Sequence, residues 1–213
     1  MMRGASVREE LRAATRETHQ RLHGHSGLSA AARGAIDLDD YGQLLMRLYG
    51  FHWAFEETHA SAMQMFGFVA NSRAELIARD LAALGTMRFD VSRLPRCTAL
   101  REPSSEACAL GALYVVEGSA LGGALIAKAL APVVGEARRF FLGCESRRDV
   151  WPSLVARLEA LPPGAQRLSA IDAAIETFEV FEEWMRDWRA APTCDVRLAM
   201  DATGETGAGS CEV

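Results

Sequence analysis

The chain has 213 residues, 49% apolar and 24% charged, with a formal net charge of -5. That is enough for one sizeable domain with its own core, and the acidic balance argues against general nucleic-acid binding, which draws on a basic excess. No secretory leader is expected from MMRGASVREELRAATRE, which lacks an apolar centre, and no membrane span from the most apolar run, which holds Glu117 and Lys128.

Strand signals are nearly absent, and apolar residues recur at three and four, the helical period. The expected fold class is all-α, with helices near 6–23, 39–66, 72–84, 104–131, 136–142, 147–160 and 165–190. In the first, VREELRAATRETHQRLHGH places Leu11, Thr15, Thr18, His19 and Leu22 along one side. Arg12 and Arg16 precede His19 by seven and three residues, so they lie near the same stripe. An imidazole on a half-buried face is ordinarily a structural histidine. With these arginines it also meets two needs of a haem site. It can face the iron as a single nitrogen ligand, and the cations can hold the propionate carboxylates.

Asp39 and Asp40 sit where a cap belongs before YGQLLMRLYGFHWAFEETH. Here Glu56 and His59 have the E-x-x-H spacing of di-iron bundles, with His52 one turn earlier. Such a site needs a second E-x-x-H. None of Glu106, Glu117, Glu145, Glu176 or Glu179 has a histidine three residues on, and the pair His19 and His23 lacks that partner. His52 and His59 therefore read as packing residues, and a non-haem di-iron oxidase is a distant alternative.

After Pro103, Ser104 and Ser105 comes GALYVVEGSALGGALIAKAL, which carries Gly111, Gly118, Gly122 and Gly123. Each interior glycine costs a helix roughly 1 kcal/mol against alanine. At about 100° per residue, positions 111, 118 and 122 share one azimuth. Close contact with another helix is the ordinary reason for such a face; a flat ligand against the backbone is the other. Together with His19, the bare face would serve as a second wall, open enough to admit a diatomic gas.

Pro162, Pro163 and Gly164 break the chain before the last long helix. From residue 191, APTCDVRLAMDATGETGAGSCEV has little periodicity, so a domain over 1–190 and a flexible tail over 191–213 are expected. The five cysteines, Cys97, Cys108, Cys144, Cys194 and Cys211, form no C-x-x-C pair. They read as free thiols in a reducing compartment, hence a cytoplasmic protein.

LRAATRETHQRL and LYVVEGSALGG together resemble the proximal and distal helices of the heme oxygenase family, in particular its bacterial members. DLDDYGQLLMRLYGFHWAFE, RDLAALG, RRFFLGC, VWPSLVARLEAL and FEVFEEWM follow the same family in order and spacing, so the likeness covers nearly all of 6–190. The resemblance implies a multi-helix domain with haem held between the first helix and a kinked distal helix. It implies His19 as the iron ligand, with Gly118 and Gly122 over the haem and Gly123 beside them. Arg12 and Arg16 would meet propionates, Tyr114 matches a propionate-contacting tyrosine of some bacterial members, and Arg148 would stand near the haem edge.

Animal-type members have an aspartate just after the first distal glycine; here that position is Ser119. The proton route would then run through ordered water held by other groups, with Ser119 and backbone atoms as candidates between which the sequence does not choose, and with Gly118, Ser119 and Gly122 as the catalytic positions. Haem would be substrate and cofactor, cleaved with O2 and external electrons to biliverdin, CO and ferrous iron. A ferredoxin or a flavoprotein reductase would supply the electrons. The alternative on the same fold is a haem carrier or sensor without ring cleavage, against which the lack of bulk at Gly118 and Gly122 leans.

Overall fold

The computed structural model describes residues 6–65, 72–85, 91–143 and 149–189, and among these there is no strand. Eleven α-helices follow in order: α1 (Val7–Ala14), α2 (Arg16–His23), α3 (Ser26–Ala32), α4 (Leu38–Thr58), α5 (Ala60–Met65), α6 (Arg73–Ala83), α7 (Glu106–Ser119), α8 (Gly123–Val134), α9 (Arg139–Leu142), α10 (Val150–Glu159) and α11 (Ala165–Met185). Single 3-10 turns lie at Val91–Arg93 and Ala120–Gly122. The all-α expectation holds, while the expected tail 191–213 lies outside the described residues.

Local chemistry sets most boundaries. Ser6 and Glu9 form a reciprocal capping box on α1, Ser72 accepts from Glu75 N on α6, and Ser105 accepts from Cys108 N on α7. The cap of α4 is Asp37, which accepts from Asp40 N, so Asp39 and Asp40 sit inside the first turn rather than at the cap. Gly164, at φ 103°, turns the chain into α11 after the two prolines.

Three expected helices are interrupted. The first is interrupted at Thr15, whose hydroxyl donates to Leu11 O at 2.8 Å beside the backbone bond from Thr15 N to the same oxygen. The second breaks at His59, between α4 and α5. The third splits into α7 and α8 at Ala120–Gly122. The short α3 was not expected. Its cap is His25, whose Nδ1 accepts from Leu28 N at 3.2 Å while Nε2 pairs with Met185 O at 2.9 Å, and histidine is outside the usual set of capping residues.

Two apolar clusters share α4 as a common wall. Leu11, Phe51, Phe55, Leu110, Leu113, Leu154 and Leu158 fill one, and Tyr41, Leu44, Leu45, Ile77 and Leu130 the other. Helix α7 is nearly all buried and lies so close to α11 that a Cβ on Gly111 would overlap the Ala170 carbonyl. The span Glu106–Val134 is long and apolar enough to cross a membrane, yet 50% of its most apolar window is buried inside the protein, where it forms core helices.

Candidate functional site

A cleft of about 1090 Å³ opens between α1 and α2 on one side and the junction of α7 and α8 on the other. His19 stands on the first wall with Arg12 and Arg16; Gly118, Ser119 and Gly122 stand on the second. Phe178 and Phe181 of α11 line it as well, so most of its surface is apolar. The sequence-expected proximal and distal stretches, about a hundred residues apart in the chain, therefore face one space.

His19 lies in an exposed stretch of α2 and turns its ring to this cleft. The ring meets His23 edge-on at 4.5 Å and Phe178 at 6.2 Å. Partial burial, then His23, then Arg12 hold its pKa below the ordinary histidine value. The imidazole is thus neutral near pH 7 and keeps a lone pair for a metal. Arg8, which the sequence reading did not single out, joins Arg12 and Arg16 on this rim. Burial raises the Tyr114 phenol pKa against the opposing pull of Arg8 and Arg12, and its ring lies 5.5 Å from Trp151. Arg148 falls outside the described residues.

The glycine face divides. A Cβ on Gly122 would meet nothing within 4 Å, and one on Gly118 would touch only the Trp151 ring at 3.4 Å, an ordinary contact. On Gly123 it would overlap the Phe141 carbonyl, so that glycine admits close packing with α9, although it also borders the cleft. Gly111 packs on α11, away from the cleft. The Ser119 hydroxyl donates to Val116 O at 2.7 Å, which commits its proton to its own helix and leaves its lone pairs outward.

Beyond the glycines, the cleft reaches a buried polar group that sequence reasoning missed. His52 of α4 and Arg73 of α6 line it, with side chains only 4% and 6% exposed. Arg73 pairs with the buried Glu117 of α7 at 3.3 Å. The Phe140 ring lies 5.1 Å from the His52 ring and 6.0 Å from the Arg73 guanidinium carbon. The one visible signal was Glu117 within an apolar run, since a buried carboxylate requires a partner. The di-iron spacing is put to other uses. Glu56 accepts from Ala74 N at 3.1 Å, and His59 stacks on Phe55 with its Nδ1 3.1 Å from Phe55 O. Among the described residues no group of three or more histidine, cysteine or carboxylate side chains is placed to hold a metal ion.

An iron porphyrin suits this donor set. The neutral His19 imidazole faces the cleft, whose lining also includes His23 and His52; Gly118 and Gly122 leave backbone open on the distal stretch, apolar rings line the space, and a rim of guanidinium groups can meet carboxylates.

Comparison with known proteins bears on the family. The family described as heme oxygenase matches residues 5–187. A heme oxygenase of Xanthomonas campestris pv. campestris (strain 8004) is 33% identical over 162 residues, which is 72% of this chain and 93% of that protein. The solved structure of heme oxygenase from Leptospira interrogans superposes with a TM-score of 0.69 at 17% identity, over 85% of this chain and 98% of that one. The chain belongs to the heme oxygenase family of enzymes.

Proposed function

We propose that this enzyme binds haem between His19 and the backbone at Gly118 and Gly122, and cleaves it with O2 and external electrons to biliverdin, CO and ferrous iron. The observation that carries the reading is that a neutral cleft-facing imidazole shares one cleft with a stretch where a methyl group would find open space at Gly122 and only an ordinary ring contact at Gly118. When bound, haem supplies both the iron at which O2 is activated and the ring that is opened.

The chain's own residues supply orientation and protons. His19 offers an uncharged nitrogen to the iron. Arg12 and Arg16, with Arg8, are cations of the cleft lining that would meet the propionates and so set the in-plane rotation of the substrate. Gly118 and Gly122 keep the wall close to the reacting edge without filling the space above it. Ser119 is open to accept a hydrogen bond from water, because its own proton is held by Val116 O. His52 and Arg73, at the inner end of the cleft, are further groups able to order water there.

The electron donor in this reading is a ferredoxin or a flavoprotein reductase, and the setting is the cytoplasm, consistent with the free thiols Cys97 and Cys108. The test is to add hemin, a reducing system and O2 and to follow the Soret band. Its loss, with a bilin spectrum and released CO, is the expected result. A stable haem complex under competent reduction would instead assign the cleft to a carrier or sensor.

A further inference from the structure

We infer that Asp80, in the last turn of α6, is a positioning residue for the cleft. It seats α9, and α9 seats the Phe140 ring over His52 and Arg73 and the Phe141 carbonyl against Gly123. The inference rests on the haem reading above and adds a residue that does not itself line the cleft.

Asp80 is wholly buried. Its Oδ1 accepts from Arg139 N at 2.8 Å and its Oδ2 from Phe140 N at 2.8 Å, while Arg139 Nη1 stands 3.5 Å from Oδ1. Burial raises its pKa, and the two backbone donors and Arg139 pull it back. A buried carboxylate costs far more than a neutral residue unless such donors meet it.

The recipient needs the help. α9 has four residues, too few to form a helix by propensity, and its leading N–H groups have no partner within the helix. Asp80 satisfies the first two, those of Arg139 and Phe140, from outside. Tyr41 fastens the preceding turn by donating to Ala137 O at 2.8 Å. With α9 so held, Phe140 lies across the buried polar group at the inner end of the cleft. Phe141 backs the glycine wall so closely that no Cβ fits at position 123. The same helix, α6, carries Arg73 in its first turn. One element therefore places a polar side chain in the cleft and the aromatic lid over that side chain.

The discriminating change is Asp80→Asn. It keeps size and shape, but one carboxamide position is a donor and would oppose one of the two backbone N–H groups. The test reads the apoprotein first, by NMR of the histidine rings. Asp80→Asn and Phe140→Leu should both displace the His52 ring resonance in the same direction, because each removes Phe140 from its place. His59, stacked on Phe55 elsewhere, should not move. With hemin bound, both variants should also move the ferric absorption spectrum away from that of the wild type.

An Asp80→Asn protein that melts earlier but keeps the wild-type His52 resonance and ferric spectrum would overturn the inference, since Asp80 would then serve stability alone. Should that variant not fold, Asp80→Glu, which retains two acceptor oxygens one methylene further out, is judged by the same two readouts. Failure of the wild-type protein to bind hemin would sink the haem reading and leave the apoprotein comparison standing. Hemin binding with an unmoved His52 would sink the role of Asp80 alone.

Discussion

Gly111 and Gly122 share one azimuth of the single helix that periodicity draws through their apolar stretch, yet they meet different surroundings. At Gly111 the neighbour is the Ala170 backbone of α11, and the missing side chain lets two core helices touch. At Gly122 there is no neighbour, and the missing side chain leaves room in the cleft. Close helix contact accounts for one end of the glycine stripe and open cleft space lies at the other, and a 3-10 turn at Ala120–Gly122 marks the change. Periodicity identifies a face; only the fold says what stands opposite.

The sharpest way to break this division is Gly111→Ala. Its new methyl would overlap a backbone oxygen that cannot swing aside, so the loss should reach or exceed the roughly 3 kcal/mol at the top of the usual overpacking range. Thermal unfolding measures it, and an unchanged melting temperature would refute close packing as the reason for that glycine.

The same contrast runs through two histidines of lowered pKa. His19 faces the cleft, whereas His59 is buried against Phe55 and depressed to about 4, chiefly by burial. Between pH 6.5 and 4 the unfolded chain binds a proton at His59 that the folded chain refuses. Stability should therefore fall as pH drops through that window, by on the order of 3 kcal/mol when complete. His59→Phe should flatten that part of the stability curve, read from denaturant midpoints at each pH. An unaltered slope would mean that other groups govern acid sensitivity.

The smallest stability effect is expected at Gly122→Ala. Its φ of -86° suits any residue and its Cβ meets nothing, so the folded state should change by no more than about 1 kcal/mol, in either direction. Hemin turnover should nevertheless drop, because the methyl enters the space above the substrate. A variant with both wild-type stability and wild-type turnover would remove Gly122 from the site.

Much of this was legible in the sequence because it is local. His19, Arg12 and Arg16 share a stripe within two turns, and Gly118 and Gly122 share another. Capping by Ser105, and the Pro162–Gly164 break, follow from single residues. What was hidden depends on distant partners. The grouping of His52, Arg73 and Glu117 draws on three helices, and Gly123 cannot be told from Gly122 until α9 is in place. The interruption at Thr15 falls where a hydroxyl turns back on Leu11 O, a choice that periodicity does not register. The α3 cap by His25 depends on Met185, 160 residues away.

The most direct test of the central claim is a crystal structure of the protein with hemin. The iron should be bound by the His19 imidazole, with the opposite face of the porphyrin against the main chain of Gly118 and Gly122. Iron held by any other residue, or a porphyrin seated outside the space between those two segments, would contradict the account.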